Sequence, residues 1–513
     1  ESLPFGFRDH LLPLTLSSSA AAVDVEFELE EYDAAGRLSR LHPSSPSRSP
    51  SSRARAPPER RMTLFDGVAL TVGLQIGSGI FSSPGVVTLN AGSVGASLSV
   101  WLLSGLLAWT GAASFAELGA AIPLNGGAQA YLTYSFGELA GYLFAWIAIT
   151  ALKPGSGAII ASIFAEYVAR IAYHAKAHAS ASITQTQPEL QDIPPWLIKL
   201  IALALTVLLS TLHALSTRLS TRFQNISTAL KLLALFAVPV AAGVQVARRG
   251  MPEQSHAAFG SWDGFWKGSA RSPGAYALAL YSGLWSFDGW DQVSLVGGEM
   301  KNVKRDLPRV IHISLCLVLM IFLLVVTSYF LVLPPALVAR TNTVALDFGA
   351  AILGPSGGVV FALLVAFSCL GALNSQFYTT ARLVYVAARE GYLPSVFARL
   401  HARTRTPLNA IVLQNVLVAL FLLFGSGFAS IVNFYGVCSW LFYFATVSGL
   451  LVLRVKEPNL ERPYKTYLST PILFSAVALF LLFMPIFSAP LEALAAFVFI
   501  SAGVPMYYLT QQR

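Results

Sequence analysis

Residues 282–291 read Ser282-Gly283-Leu284-Trp285-Ser286-Phe287-Asp288-Gly289-Trp290-Asp291, two carboxylates, two indoles and two glycines set inside an otherwise apolar run. A carboxylate within hydrocarbon is costly, and glycine loosens a helix that would otherwise continue. The stretch therefore predicts a membrane-spanning helix interrupted near its middle, with backbone groups released at the break. Such groups are tolerated at membrane depth only where they are buried in protein or line a cavity. Freed carbonyls here, with Asp288 beside them, are suited to accept hydrogen bonds from an ammonium group. For Asp291, capping of a half-helix or pairing with a neighbouring helix is an open alternative.

One upstream run has the same character: Gln75-Ile76-Gly77-Ser78-Gly79-Ile80-Phe81, followed by Pro84. Gly77, Ser78 and Gly79 offer free N–H groups at the N-terminus of a second half-helix, where the dipole favours an anion such as a carboxylate. Taken alone, these small residues read equally well as a helix-packing seam. Paired with the break at Ser286–Gly289, they favour a pocket.

The surrounding composition sets the class. Of 513 residues, 55% are hydrophobic and 12% charged, against about 25% charged in ordinary soluble domains. The charges are bunched between apolar runs of about 20 residues or more, the length a helix needs to cross a bilayer. This pattern excludes a water-soluble globule and predicts an all-α membrane protein with twelve transmembrane helices. They fall at about 64–89, 95–120, 126–172, 195–215, 221–247, 275–298, 308–333, 354–390, 407–424, 429–455, 470–489 and 491–511. The interrupted runs are the first and the sixth. The third and eighth, also five apart, are the two longest. A five-helix unit repeated once with inverted topology produces this spacing. The third contains Lys153-Pro154-Gly155, so it is either a kinked, tilted helix or two segments.

The expected division is a disordered cytoplasmic tail at 1–61 and a transporter domain at 62–513. Within the latter, the repeats occupy 62–250 and 274–456, with two additional helices at 470–511. The tail joins an acidic stretch, Glu26 to Asp33, to a Ser, Pro and Arg-rich one, His42 to Arg61, and has no secretory-type leader. The net charge of +8 does not imply nucleic acid, because Lys and Arg lie in loops and not on one amphipathic face. Lys301, Lys304, Arg305, Arg309, Arg454, Lys456, Arg462 and Lys465 all fall on one side, where they outnumber basic residues such as Arg248, Arg249, Lys267 and Arg271 opposite. The positive-inside bias then puts both termini in the cytoplasm. An integral protein of the plasma membrane, in contact with lipid, is expected.

Lys231, within Leu230-Lys231-Leu232-Leu233, must either find carbonyls or a carboxylate inside the bundle or snorkel to the nearby face. Glu117 and Glu166 lie near span ends and are open to a functional role or to contact with headgroups. Cys316, Cys369 and Cys438 sit in apolar runs and imply no disulfide framework. The eight histidines have no metal-like spacing, and P-loop, zinc and Ser/His/Asp patterns are missing. No enzyme activity, metal or cofactor is expected.

The runs Gly73–Phe81 (GLQIGSGIF) and Tyr281–Met300 (YSGLWSFDGWDQVSLVGGEM) followed by Lys301-Asn302, with Ala388-Arg389-Glu390-Gly391 and Glu461-Arg462-Pro463-Tyr464-Lys465, resemble the L-type amino acid transporters of the amino acid/polyamine/organocation superfamily. The likeness runs from about Met62 to Lys465 and continues more weakly to the end, and the branch of fungi that includes methionine permeases looks nearest. The resemblance implies a LeuT-like five-plus-five inverted repeat, helices 1 and 6 broken, working by alternating access. It implies a substrate carboxylate held by the N–H groups of Ser78 and Gly79, and an amino group held by carbonyls of Gln75, Trp285 and Asp288. The pocket would lie along Gln75, Ile76, Gly77, Ser78, Gly79 and Ile80, and along Trp285, Ser286, Phe287, Asp288 and Asp291, with Ser368, Asn374 and Ser439 lining it. Trp285 matches the gating aromatic, and Lys231 matches a lysine that replaces sodium in coupled relatives.

Asp288 stands where large-neutral carriers often have glycine, and Asp291 resembles a residue of members that also take cations. The expected activity is sodium-independent carriage of amino acids, large neutral ones including methionine, with a cationic or broad-range exchanger as the alternative. A receptor without net transport and a channel are rivals from other classes. Animal members join a glycoprotein heavy chain through a cysteine between spans three and four. The loop Tyr173 to Pro194 has none, so no disulfide-linked heavy chain is expected.

Overall fold

The structure, a computed structural model, describes residues 63–123, 126–180, 193–215, 217–295, 300–341, 343–389, 391–399, 401, 406–424, 428–488 and 490–511. The expected tail at 1–61 lies outside the described residues, as does the middle of the loop from Tyr173 to Pro194.

The first helix, α1 (Leu64–Gln75), starts at a capping box. Asp66 N–H donates to Thr63 Oγ1 at 3.3 Å, and Thr63 N–H to Asp66 Oδ2 at 2.9 Å, which satisfies donors a helix start leaves free. After a break at Ile76–Ser78 the chain resumes as α2 (Gly79–Ala91), bent 46° from α1. Gly92 ends α2 at φ +82°, and Ser93 caps α3 (Val94–Ala121) through Ala96 N–H at 3.1 Å. The long third run divides at Gly137, whose φ of +94° only glycine adopts readily. On one side is the short α4 (Ala128–Phe136) and on the other α5 (Glu138–Ile147), which continues through a π turn at Ala148–Leu152 into α6 (Lys153–Ser180). Pro154 has no N–H for the carbonyl of Thr150, and bonding slips one residue: Lys153 N–H reaches Ala148 O, five back. The run is thus two segments, α4 and the span Glu138–Ala172, divided at Gly137 and not at Lys153-Pro154-Gly155.

Next come α7 (Pro195–Leu215), α8 (Thr217–Arg249) and two short helices, α9 (Glu253–Gly260) and α10 (Trp262–Trp266). Helix α11 (Pro273–Ser286) ends in a break before α12 (Gln292–Leu295), and α13 (Val303–Val332) leads to the short α14 (Pro335–Val338) and α15 (Val344–Leu353). The chain finishes with α16 (Pro355–Arg389), α17 (Leu408–Phe424), α18 (Phe428–Lys456), α19 (Ser469–Ser488) and α20 (Pro490–Gln511). Among the described residues nine helices are long and apolar enough to cross a membrane, and the bent pair α1–α2 makes a tenth. Helices α11 and α17 stand where the sixth and ninth spans are expected but are shorter than that measure, so ten of the expected twelve spans are met on length and composition.

The bundle packs α6 against α16, α13 against α3 and α2 against α11. By contrast, α7, α8 and α20 leave most of their surface uncovered by protein, as lipid-facing helices do. Glu117 does not reach toward headgroups. It is fully buried and accepts from Arg454 Nε at 3.0 Å and from Thr466 N–H at 2.9 Å, with Arg462 Nε at 3.6 Å. This ties α3 to α18 and to the strap that follows it. The same strap is tied to α13 by His312, whose Nε2 lies 2.7 Å from the hydroxyl of Tyr464 on the strap, while Trp109 Nε1 donates to His312 Nδ1 at 2.7 Å. Glu166 pairs with Arg170 one turn away at 3.3 Å.

Candidate functional site

The two breaks lie side by side. Gln75 Nε2 donates to the carbonyl of Phe287 at 3.2 Å, a direct link from the end of α1 to the unwound stretch after α11. Each break leaves carbonyls without helical partners, and side chains from neighbouring helices take two of them. Lys231 Nζ, buried on α8, donates to Gly73 O at 3.4 Å, and Ser368 Oγ on α16 to Gly77 O at 3.2 Å. Gly289 turns the second break at φ +104°. At the start of α2, Ser78 makes no side-chain cap, and its hydroxyl is buried without a partner. The first N–H groups of α2 are therefore not satisfied by a cap.

A cavity opens between the breaks, with about 70 Å³ reachable by water centres, enough for several waters. Gln75, Gly77, Ser78 and Gly79 line one wall, and Trp285, Asp288, Gly289 and Gln292 line another. Two helical stripes complete it: Lys153, Ser156 and Ile160 of α6, at i, i+3 and i+7, and Ala372, Gln376 and Thr379 of α16, at i, i+4 and i+7. The stripes are stitched together, because Ser156 Oγ donates to Gln376 Oε1 at 3.3 Å and Gln376 Nε2 to the Lys153 carbonyl. The cavity extends from the breaks along α16 as far as Thr379 and along α6 as far as Lys153. On the opposite side the walls meet. A Cβ built on Gly79 would lie 2.5 Å from Ser286 Cα, Tyr167 donates to Phe81 O at 2.9 Å, and Gly85 abuts the backbone of Val338 and Thr341 after α13.

Of the residues expected in the pocket, Gln75, Gly77, Ser78, Gly79, Trp285 and Asp288 line the cavity. Ile76 and Ile80 are fully buried beside it, and Phe287 packs between Trp101 and Phe322. Ser286 lies against Gly79, and its hydroxyl donates to Ser282 O at 3.3 Å. Asp291 accepts from Gln292 Nε2 at 3.0 and 3.2 Å. The backbone carbonyl of Asn374 lies 3.1 Å from His213 Nε2 on α7, and Ser439 Oγ donates within its own helix to Gly436 O at 3.2 Å. Lys231 reaches the carbonyl behind the first break and does not line the cavity. The α6 and α16 stripes were not singled out from the sequence, where Lys153 was read only as part of a kink. Their signal was present as polar residues recurring at helical spacing inside apolar spans.

Uncapped N–H groups at the head of α2 and the acceptors Asp288 and Gln75, all at one small cavity, suit a molecule that carries an anionic and a cationic group on the same carbon. The amino acid permease model matches residues 62–509, nearly the whole described chain. The chain belongs to the amino acid permease family. The permease is 36% identical over 452 residues to the mouse b(0,+)-type amino acid transporter 1, covering 88% of each chain. To the human cystine/glutamate transporter it is 33% identical over 475 residues, covering 92% of this chain and 89% of the relative. To the mouse large neutral amino acids transporter small subunit 2 it is 34% identical over 455 residues, covering 88% and 81%. These relatives are L-type transporters, as the motifs indicate, and none of the three is a methionine permease. The permease is an integral membrane protein that transports amino acids, and it is not an enzyme.

Proposed function

We propose that the permease carries α-amino acids across the plasma membrane by sodium-independent alternating access, with large neutral substrates including methionine as its main cargo. The observation that carries this is the pairing of the two breaks around one cavity. The zwitterion would place its carboxylate at the amides of Ser78 and Gly79 and its ammonium among the carbonyls of Gln75, Trp285 and Asp288. Ile76, Ile80, Ser286 and Phe287 shape these two stretches, while Asp291, Ser368, Asn374 and Ser439 support them from behind, and Trp285 acts as the gate. Lys231 donates from its amine to the Gly73 carbonyl that the break releases, which supports a cycle with no need of sodium.

With both termini cytoplasmic, the cavity faces inward, and the Gly79–Ser286 approach closes the outer side. The repeats are taken as 62–250 and 274–456, with 470–511 outside them, and the carrier works without a disulfide-linked heavy chain. Asp288 in the cavity wall favours a second reading, in which cationic side chains are also accepted.

The test is uptake of labelled leucine, methionine and lysine into proteoliposomes, with sodium replaced by choline and with or without internal amino acid. Saturable uptake that is indifferent to sodium and stimulated by internal substrate is expected. Binding without flux would turn the assignment to a receptor, and non-saturating current to a channel.

A further inference from the structure

Both carboxylate oxygens of Asp288 are taken by one helix. Tyr435 donates to Oδ2 at 2.7 Å and Tyr443 to Oδ1 at 3.2 Å. The tyrosines stand eight residues apart on α18, about two turns, so they converge on the carboxylate from above and below. Their rings brace the two indoles that flank the break. Tyr435 meets Trp285 edge-on with centroids 5.1 Å apart, and Tyr443 lies 5.0 Å from Trp290. Phe115 of α3 closes the far side of Trp290 at 5.0 Å and of Tyr443 at 6.0 Å. Asp291 lies on the same unwound stretch as Asp288, and Lys153 of α6 lines the same cavity.

A carboxylate in a water-poor cavity keeps its charge only where hydrogen bonds replace lost hydration. Hydrogen bonds from neutral hydroxyls to an ionised oxygen do this without cancelling the charge, whereas direct pairing with Lys153 would.

We propose that Tyr435 and Tyr443 are positioning residues that set the charge preference of the substrate site, by holding Asp288 as a fixed negative group in the cavity wall. They act through Asp288 and do not themselves line the cavity. It follows that the tyrosine pair is a determinant of how well cationic substrates compete with neutral ones. The inference rests on the amino acid transport and the cationic second reading proposed above.

The experiment measures KM for labelled lysine and labelled leucine in proteoliposomes containing wild type, Tyr435→Phe, Tyr443→Phe and the double variant, each also in an Asp288→Asn background. Monodisperse elution of each purified variant reports folding, and Tyr435→Phe alone carries the test if Tyr443→Phe, whose side chain is the more buried, misfolds. The lysine-to-leucine KM ratio should rise roughly tenfold on loss of a hydroxyl to the charged oxygen, and the same substitutions should leave that ratio unmoved when Asp288 is already Asn. A parallel rise of both KM values would assign the tyrosines a purely structural role and overturn the proposal. An equal shift of the ratio in the Asp288→Asn background would overturn it as well. Wild-type uptake of leucine without lysine overturns it through the second reading alone, whereas a wild type that carries neither overturns the transport function itself.

Discussion

Replacing Gly79 by alanine tests whether close approach of the two half-helices is part of the transport cycle. The added Cβ would stand 2.5 Å from Ser286 Cα, 2.8 Å from its Oγ and 2.9 Å from its Cβ, where ordinary van der Waals separations begin at 3.4 Å. Helices α2 and α11 must therefore separate by about 1 Å in a packed interior that does not deform freely. Overpacking of this kind costs about 1–3 kcal/mol. That penalty falls on the state in which the two helices touch, and lowers its population roughly 5- to 150-fold. Initial uptake rates in proteoliposomes should fall within that range while the protein still reaches the membrane. Adding Ser286→Gly removes the clash with the serine side chain but leaves the one with its backbone, so it should restore little. Uptake by Gly79→Ala at the wild-type rate, or full recovery on adding Ser286→Gly, would show that the approach is not required.

Lys231→Met keeps most of the side-chain volume but leaves the Gly73 carbonyl without its donor; a penalty of about 1–3 kcal/mol on the first break is expected, seen as loss of uptake with normal surface expression. Glu117→Gln strands Arg454 and Arg462 in a buried site and should cost about 3–5 kcal/mol, measurable as a lower unfolding temperature in detergent. Adding Arg454→Met to Glu117→Gln should cost less than the sum of the two single changes. Glu166→Gln breaks only a partly exposed pair within one helix, so the unfolding temperature should scarcely move.

Much of the fold was legible along the chain, because its cues are local. The length of an apolar run states whether a helix can span, and glycines with polar neighbours inside such a run state where it breaks. Both signals were plain at Gly77–Gly79 and at Asp288–Gly289. The third run was ambiguous for an equally local reason, since Pro154 disrupts a helix without dictating whether it ends. The structure resolves this as a π turn, while Gly137 makes the actual division. Glu117 could not be assigned from sequence because its partner Arg454 is 337 residues away.

The sequence alone determined that this protein lives in a bilayer, that two of its helices are interrupted five spans apart, and that exposed peptide groups result. Those properties depend on the chemistry of neighbouring residues and on the length of apolar runs. Only the tertiary structure decided which polar side chains meet at the breaks: Lys153, Gln376 and Thr379 on the cavity wall, Lys231 behind it, and Tyr435 with Tyr443 on Asp288. In a membrane the outside of the bundle is as apolar as its interior, so hydrophobic periodicity does not reveal which face of a helix turns inward. That choice is made by packing between distant helices, once small residues such as Gly79 let their backbones come together.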